Sequence, residues 1–307
     1  MNPLYLTNHL IFAVFMTLLL LEGGFAITSL IAYKKYKERL MRYITPIWEV
    51  TGTFAVFYIV NFEATFPTLL GAAGTLYAVP LLVAAALIII RNAFLIYSVY
   101  VGDSKKEGGY LKVYALATIA ALVLLLSVLS SAMSGIGVSP ATGVSTASMY
   151  LNPFNILVIA SALLVSLSLA TSLFRIKPLE RLSWMFLIIA IALFAFGTLA
   201  FVKPVGANIM AYPLPVALLL ILVIELAIMQ ANRSRFSAPF AIFIVFFAIN
   251  VLGVLQYPYI FGSADITGYL NNSALTQPII LVTLVGGAIV AIALSYLVYL
   301  SYLRKRA

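Results

Sequence analysis

Residues 32–42 read AYKKYKERLMR, with Lys34, Lys35, Lys37, Arg39 and Arg42 crowded into one short stretch. A long run with almost no charge lies on either side of it. Four further basic clusters follow along the chain: Lys105, Lys106 and Lys112; Arg175, Lys177 and Arg181; Arg233 and Arg235; and Arg304, Lys305 and Arg306. Of the 18 basic residues only Arg91 and Lys203 stand outside these clusters. Each cluster sits at the same end of an apolar run. That alternation is the positive-inside pattern of a polytopic membrane protein.

Composition agrees. Apolar residues make up 64% of the chain and charged residues 9%, against about 45–50% and about 25% in soluble domains. The net charge of +9 does not point to nucleic acid, because loops on one side of a membrane account for it. There the cations also favour anionic lipid head groups.

A helix needs about 20 residues to cross about 30 Å of hydrocarbon. Nine segments qualify: 8–33, 44–62, 70–97, 110–133, 152–174, 182–202, 212–231, 238–257 and 276–302. Helix is the only state that satisfies their backbone groups in lipid, since the alternating strands of a barrel are absent. The expected fold is an all-α polytopic membrane protein with nine transmembrane helices, its N-terminus outside and its C-terminus cytoplasmic. The outer loops then hold only Lys203 and Asp265, with Glu63 near the short second connection. The opening MNPLYLTNHLIF lacks a basic n-region and reads as a retained first helix. Asn2–Pro3 and Asn152–Pro153 open the first and fifth spans alike. This echo divides the chain into a first four-helix bundle (1–133) and a second (134–257). Residues 258–307 then form an outer loop, a ninth peripheral helix and a basic tail.

Ionisable residues within spans are costly and mark function or a partner. Glu22, in LLLEGGFA, lies roughly 15 Å from the inner end of the first span. It reads either as a proton-carrying carboxylate or as a buried acid that packs against another helix. Gly23 and Gly24 beside it permit close helix approach. Glu49, beside Trp48, lies roughly 8 Å from the inner edge of the second span. Arg91 sits at a similar depth on the third, so a Glu49–Arg91 pair is open to it, either as a structural anchor or as a tuned acid near a cytoplasmic proton inlet. Glu225 occupies the same layer on the seventh span and could instead reach Arg233 or Arg235 by snorkelling.

Other chemistries are excluded or unsupported. The chain has no cysteine, hence no disulfide or thiolate metal site. His9 is the only histidine, which excludes a two-histidine metal site and the two histidine ligands of a six-coordinate haem. No Walker loop or HExxH is present. The small-residue patches Gly71–Gly74 and Gly286–Ala288 read as close-packing surfaces, and Trp184 and the tyrosines at helix ends as interfacial anchors.

The order of these landmarks resembles the second, haem-free subunit of cytochrome bd-type quinol oxidases. The likeness rests on Glu22–Gly23–Gly24–Phe25, on Trp48–Glu49 followed by the Phe66–Pro67 corner, on Arg91 with Phe94 and Tyr97, and on Leu151–Asn152–Pro153–Phe154. Tyr257–Pro258, Asn271–Asn272–Ser273, and Tyr299 and Tyr302 before the basic tail extend it. The chain also departs from the family. Ala26 stands where a second acid is common, and Trp48–Glu49–Val50–Thr51–Gly52–Thr53–Phe54 replaces Trp-Asp-Gly-Asn-x-Val-Trp. The resemblance implies a multi-pass protein of a prokaryotic plasma membrane. It would bind no cofactor itself and would pair with a haem-bearing first subunit that oxidises quinol and reduces oxygen. A small single-helix subunit is a further expected partner, and some relatives hold a lipid or quinone in this subunit. A proton path from the cytoplasm would run along Glu49, with Glu22 and Glu225 as further members and Trp48 and Arg91 as neighbours. The competing reading is a stand-alone secondary transporter, with Pro80 and Pro215 as helix breaks and Glu22 near the midplane.

Overall fold

Asn2 and Pro3 begin the first helix as the sequence suggests. The Asn2 side chain accepts the Leu4 N–H at 2.8 Å and Pro3 occupies the first turn, a position where its missing N–H costs nothing. In this computed structural model the described residues are 1–101, 106–139, 143–144, 146–177, 179–232, 236–260, 264–271 and 276–303. The expectations placed on Lys105, Arg233, Arg235, Asn272, Ser273, Arg304, Lys305 and Arg306 lie outside them.

Helix α1 spans Pro3 to Thr65, with a kink at one non-helical residue, Tyr36 (φ −121°, ψ 19°). It is nevertheless folded back on itself. The Asn8 amide donates to the Asn61 carbonyl oxygen at 2.8 Å. The Phe12 and Tyr58 rings lie 5.2 Å apart. Residues paired in this way share a midpoint near Tyr36, so the two arms are antiparallel. The separate spans expected at 8–33 and 44–62 are therefore joined by helix rather than by an irregular loop. The linking residues Lys34–Arg42 are mostly strong helix formers, and Leu40 and Ile44 on their inner face are fully buried.

The chain continues through α2 (Pro67–Leu76), α3 (Ala78–Ile96) and α4 (Glu107–Ser134). The expected span 70–97 is thus divided at Tyr77, whose φ of −107° and ψ of 22° break the helix while its ring is buried. A π-helical turn, Tyr97–Val101, ends α3. Strands β1 (Val138–Ser139) and β2 (Gly143–Val144) pair antiparallel in the loop beyond α4. Then come α5 (Thr146–Tyr150), α6 (Pro153–Phe174), α7 (Ser183–Phe201), the short α8 (Lys203–Ala211), α9 (Pro213–Ala231) and α10 (Ser237–Gln256). Asn152 caps α6 by accepting the Asn155 N–H at 2.7 Å, the counterpart of Asn2. Strands β3 (Tyr259–Ile260) and β4 (Ala264–Asp265) pair antiparallel before α11 (Thr276–Leu303).

Among the described residues seven helices are long and apolar enough to cross a membrane, α1 counted as one of them. The chain is an all-α polytopic membrane protein. The closest packing joins α3 to α4 and α6 to α7, and α1 packs on both α4 and α6. One continuous apolar core, from Met16 to Leu255, runs through both halves of the chain.

The basic segment also ties helices together. Arg39 donates to the Phe174 and Arg175 carbonyls at 3.0 and 3.2 Å, satisfying the C-terminus of α6 with a cation. Lys37 pairs with Glu107 at 2.6 Å. At the opposite end Asn61 donates to Thr283, fastening α11 to α1. In the last loop Asp265 is exposed, and the Thr267 hydroxyl and N–H donate to it at 2.7 and 2.8 Å. These bonds hold its carboxyl below the usual carboxylate range.

Candidate functional site

Gly23 and Gly24 set the position of Glu22. An ideal Cβ on Gly24 would stand 2.0 Å from the Ser166 carbonyl oxygen and 2.8 Å from Ala170 Cβ, so α1 and α6 touch backbone to backbone there. This close approach leaves Glu22 with no exposed surface at all. Two other helices complete its surroundings. Arg91 Nη1 of α3 lies 2.7 Å from Glu22 Oε1, and the Tyr114 hydroxyl of α4 donates to the same oxygen at 2.8 Å. The Thr51 hydroxyl bonds the Ile47 carbonyl at 2.8 Å and lies against the Glu22 carboxyl. Glu22 Oε2 is buried with no hydrogen-bond partner among the described residues.

The network extends through Arg91. Its Nε donates to the Asn92 side-chain oxygen at 3.2 Å, and Trp48 Nε1 donates to that oxygen at 2.7 Å. Trp48, Asn92, Arg91, Glu22 and Tyr114 thus form one connected polar chain inside apolar helices. A charge buried in lipid-depth protein needs such partners. The chemistry on offer is that of a carboxylate held by a guanidinium and a phenol, with one oxygen left over.

Of the sequence candidates, Glu22, Arg91 and Trp48 share this site. Glu49 does not pair with Arg91, which is engaged by Glu22 instead. The reason is side-chain direction. Helical side chains lean toward their own N-terminus, which carries Arg91 away from the basic end and toward Glu22. On the returning arm of α1 the same rule carries Glu49 toward the basic end. Glu49 is half-buried and forms no ion pair among the described residues. It stands near the face of α1 on which Thr53 and Val56 are exposed. Glu225 is exposed on α9, a helix that packs on α7 and α10, so it is not part of the Glu22 cluster. Tyr114, Thr51 and Asn92 were missed. The only signal for Asn92 was its place beside Arg91, and Tyr114 reads in sequence like an interfacial tyrosine.

His9 is held inside the bundle. Its Nε2 donates to the Ile249 carbonyl at 2.9 Å, and its ring lies between those of Tyr5 and Phe12. No group of three or more His, Cys, Asp or Glu residues that could hold a metal forms among the described residues. His9 does border an apolar cavity of about 300 Å³ between α1, α4, α6, α7, α8, α9 and α10. Its lining is mostly aliphatic, with Ser161, Thr198 and Gln256 as the other polar side chains.

The comparisons with known proteins bear on this arrangement. The family described as cytochrome bd terminal oxidase subunit II matches residues 4–303. A chain in the structure of bd oxidase from Geobacillus thermodenitrificans is 19% identical, with a TM-score of 0.75 over 96% of this chain and 97% of that one. No curated protein matches the sequence.

Proposed function

The chain belongs to the cytochrome bd terminal oxidase subunit II family, and from that premise we propose that it is the haem-free second subunit of a quinol:oxygen oxidoreductase. In this reading it supports a haem-bearing first subunit in a prokaryotic plasma membrane and lines a proton path from the cytoplasm. The observation that carries the proton role is the buried Glu22–Arg91–Tyr114 cluster. Nothing in the packing of an apolar bundle requires a carboxylate there, and ionisable groups at such depth are retained for a reason.

The arms of α1 counted separately, together with α11, give nine crossings. An N-terminus outside and a C-terminus inside then put every basic cluster on the cytoplasmic side. The two bundles and the peripheral ninth helix are kept as the proposed division. The haems of the first subunit would pass electrons from quinol to oxygen. Oxygen reduction also consumes protons, and this chain's task is to bring them. Glu49, near the exposed face of α1 and at the shallower depth, is the residue that would collect them beside the partner. Glu22 holds the deeper position, with its unpartnered oxygen as the acceptor. Trp48 and Asn92 fix the Arg91 guanidinium so that it compensates the acid. Glu225 stands apart and would act, if at all, where α9 meets another chain such as a small single-helix subunit. The apolar cavity beside His9 suits the chain of a lipid or quinone.

The test uses the purified complex. Glu49→Gln should lower quinol-driven oxygen consumption without loss of haem. The double variant Glu22→Gln/Arg91→Met, which removes the deep acid without stranding a charge, should do the same. Native turnover in both would refute the proton path.

A further inference from the structure

The charged pair at Glu22 and Arg91 is followed, on both helices that carry it, by a serine at the same interval. Ser29 lies seven residues after Glu22, and Ser98 seven after Arg91. Seven residues fall within about 20° of two full turns and rise about 10 Å. Each serine therefore stands on the face that bears its charged residue, two turns nearer the basic end. Helix α3 is regular to Ile96, so the register holds to the first residues of the π-helical turn.

Both serines are buried, at 5% and 6% exposure, and neither hydroxyl has a hydrogen-bond partner among the described residues. Thr65 and Ser166 share that state among the described residues, but other buried helical hydroxyls do not. Thr17, Thr28, Thr51, Thr118 and Ser127 each return their hydroxyl to the carbonyl four residues back. The same bond is open to any helical serine, yet Ser29 and Ser98 leave it unmade. Glu22 Oε2, two turns from Ser29 on the same helix face, is unpartnered as well, and so is Ser166 Oγ, which packs against Gly23. Buried polar atoms without a protein partner are the usual stations of ordered water. One turn beyond Ser29, the Tyr33 hydroxyl donates to Glu107 Oε1 at 2.5 Å, and Lys37 holds Oε2. The Lys37 side chain is 47% exposed, so this cluster reaches solvent.

We propose that Ser29 and Ser98 hold a file of water molecules that carries protons from the basic face, past Glu107, to the Glu22 carboxylate. The proposal rests on the proton-path reading above and supplies its inner route, which Glu49 alone does not reach. Only O–H bonds form and break. A proton passes from one water oxygen to the next and then to Glu22 Oε2, and leaves it for the oxygen-reduction site that consumes it.

The test compares the purified complex carrying Ser29→Val/Ser98→Val, which fills the space with methyl groups, with Ser29→Thr/Ser98→Thr, which restores the hydroxyls. Oxygen consumption in H₂O and D₂O and haem content are measured. The valine pair should turn over more than tenfold slower with haem unchanged and a larger solvent isotope effect, and the threonine pair should recover most of the rate. Native turnover and isotope effect in the valine pair, with Glu22→Gln/Arg91→Met slow, would overturn the water file and leave the proton path standing. Native turnover in both would sink the two together. Should the valine pair lose its haem, the native complex decides by high-resolution density. Water within hydrogen-bond reach of Ser29 Oγ and Ser98 Oγ supports the file, and dry hydroxyls overturn it.

Discussion

The Glu22–Arg91 pair makes a quantitative prediction because its two halves are not equivalent. The Glu22 side chain is fully buried and that of Arg91 is 6% exposed. Removing one partner of a buried pair costs about 3–5 kcal/mol, a factor of more than a hundred in the folded population at about 1.4 kcal/mol per tenfold. In Arg91→Met the stranded carboxylate keeps the Tyr114 hydroxyl and can take up a proton, which bounds the cost. In Glu22→Gln the guanidinium cannot lose its charge and is left with two neutral acceptors, the new amide oxygen and the Asn92 oxygen, and no compensating anion. Glu22→Gln should therefore be the more damaging substitution, near the upper end of that range. Glu22→Gln/Arg91→Met removes both charges and should lie within about 2 kcal/mol of the native protein, since well-packed neutral replacements of buried pairs are often tolerated. Unfolding free energies from detergent titration of the complex close this double-mutant cycle. Additive single effects, or singles within about 0.5 kcal/mol of native, would refute the pairing.

Three further outcomes follow from the packing. Gly24→Ala should prevent stable assembly, because its Cβ meets the rigid Ser166 backbone at 2.0 Å; Gly52→Ala, with nothing within 4 Å, should be neutral or stabilising by up to about 1 kcal/mol, as thermal denaturation would show. Asn61→Leu breaks the bonds to Asn8 and Thr283 and should raise protease access to α11 while leaving the Glu22 cluster intact. Lys37→Ala removes a half-exposed ion pair and should cost less than about 1 kcal/mol, with the difference vanishing in high salt.

Most of the fold was legible because lipid leaves few choices. Apolar length marks a crossing, so the spans at 110–133, 152–174, 182–202 and 238–257 fall on α4, α6, α7 and α10. The errors came where local propensity acts without a membrane constraint. Lys34–Arg42 is a cytoplasmic turn by charge but a helix by residue type, and Tyr77 breaks a span with a buried side chain that no hydropathy pattern marks. The candidate acids were legible from their cost in lipid. Their partners were not, because sequence reports depth along a helix but not the neighbouring helix at that depth. Equal depth leaves Arg91 open to Glu49, whereas the lean of its side chain brings it to Glu22. The hydroxyls of Tyr114 and Thr51 carry no charge to draw attention in sequence.

The central claim is that this chain works as the second subunit of a haem-bearing oxidase. It is tested most directly by the reduced-minus-oxidised visible spectrum of the natively purified protein, with its companion chains resolved on a gel. The account predicts haem bands and a second large chain in fixed proportion to this one. A colourless preparation of this chain alone, from intact membranes, would contradict it.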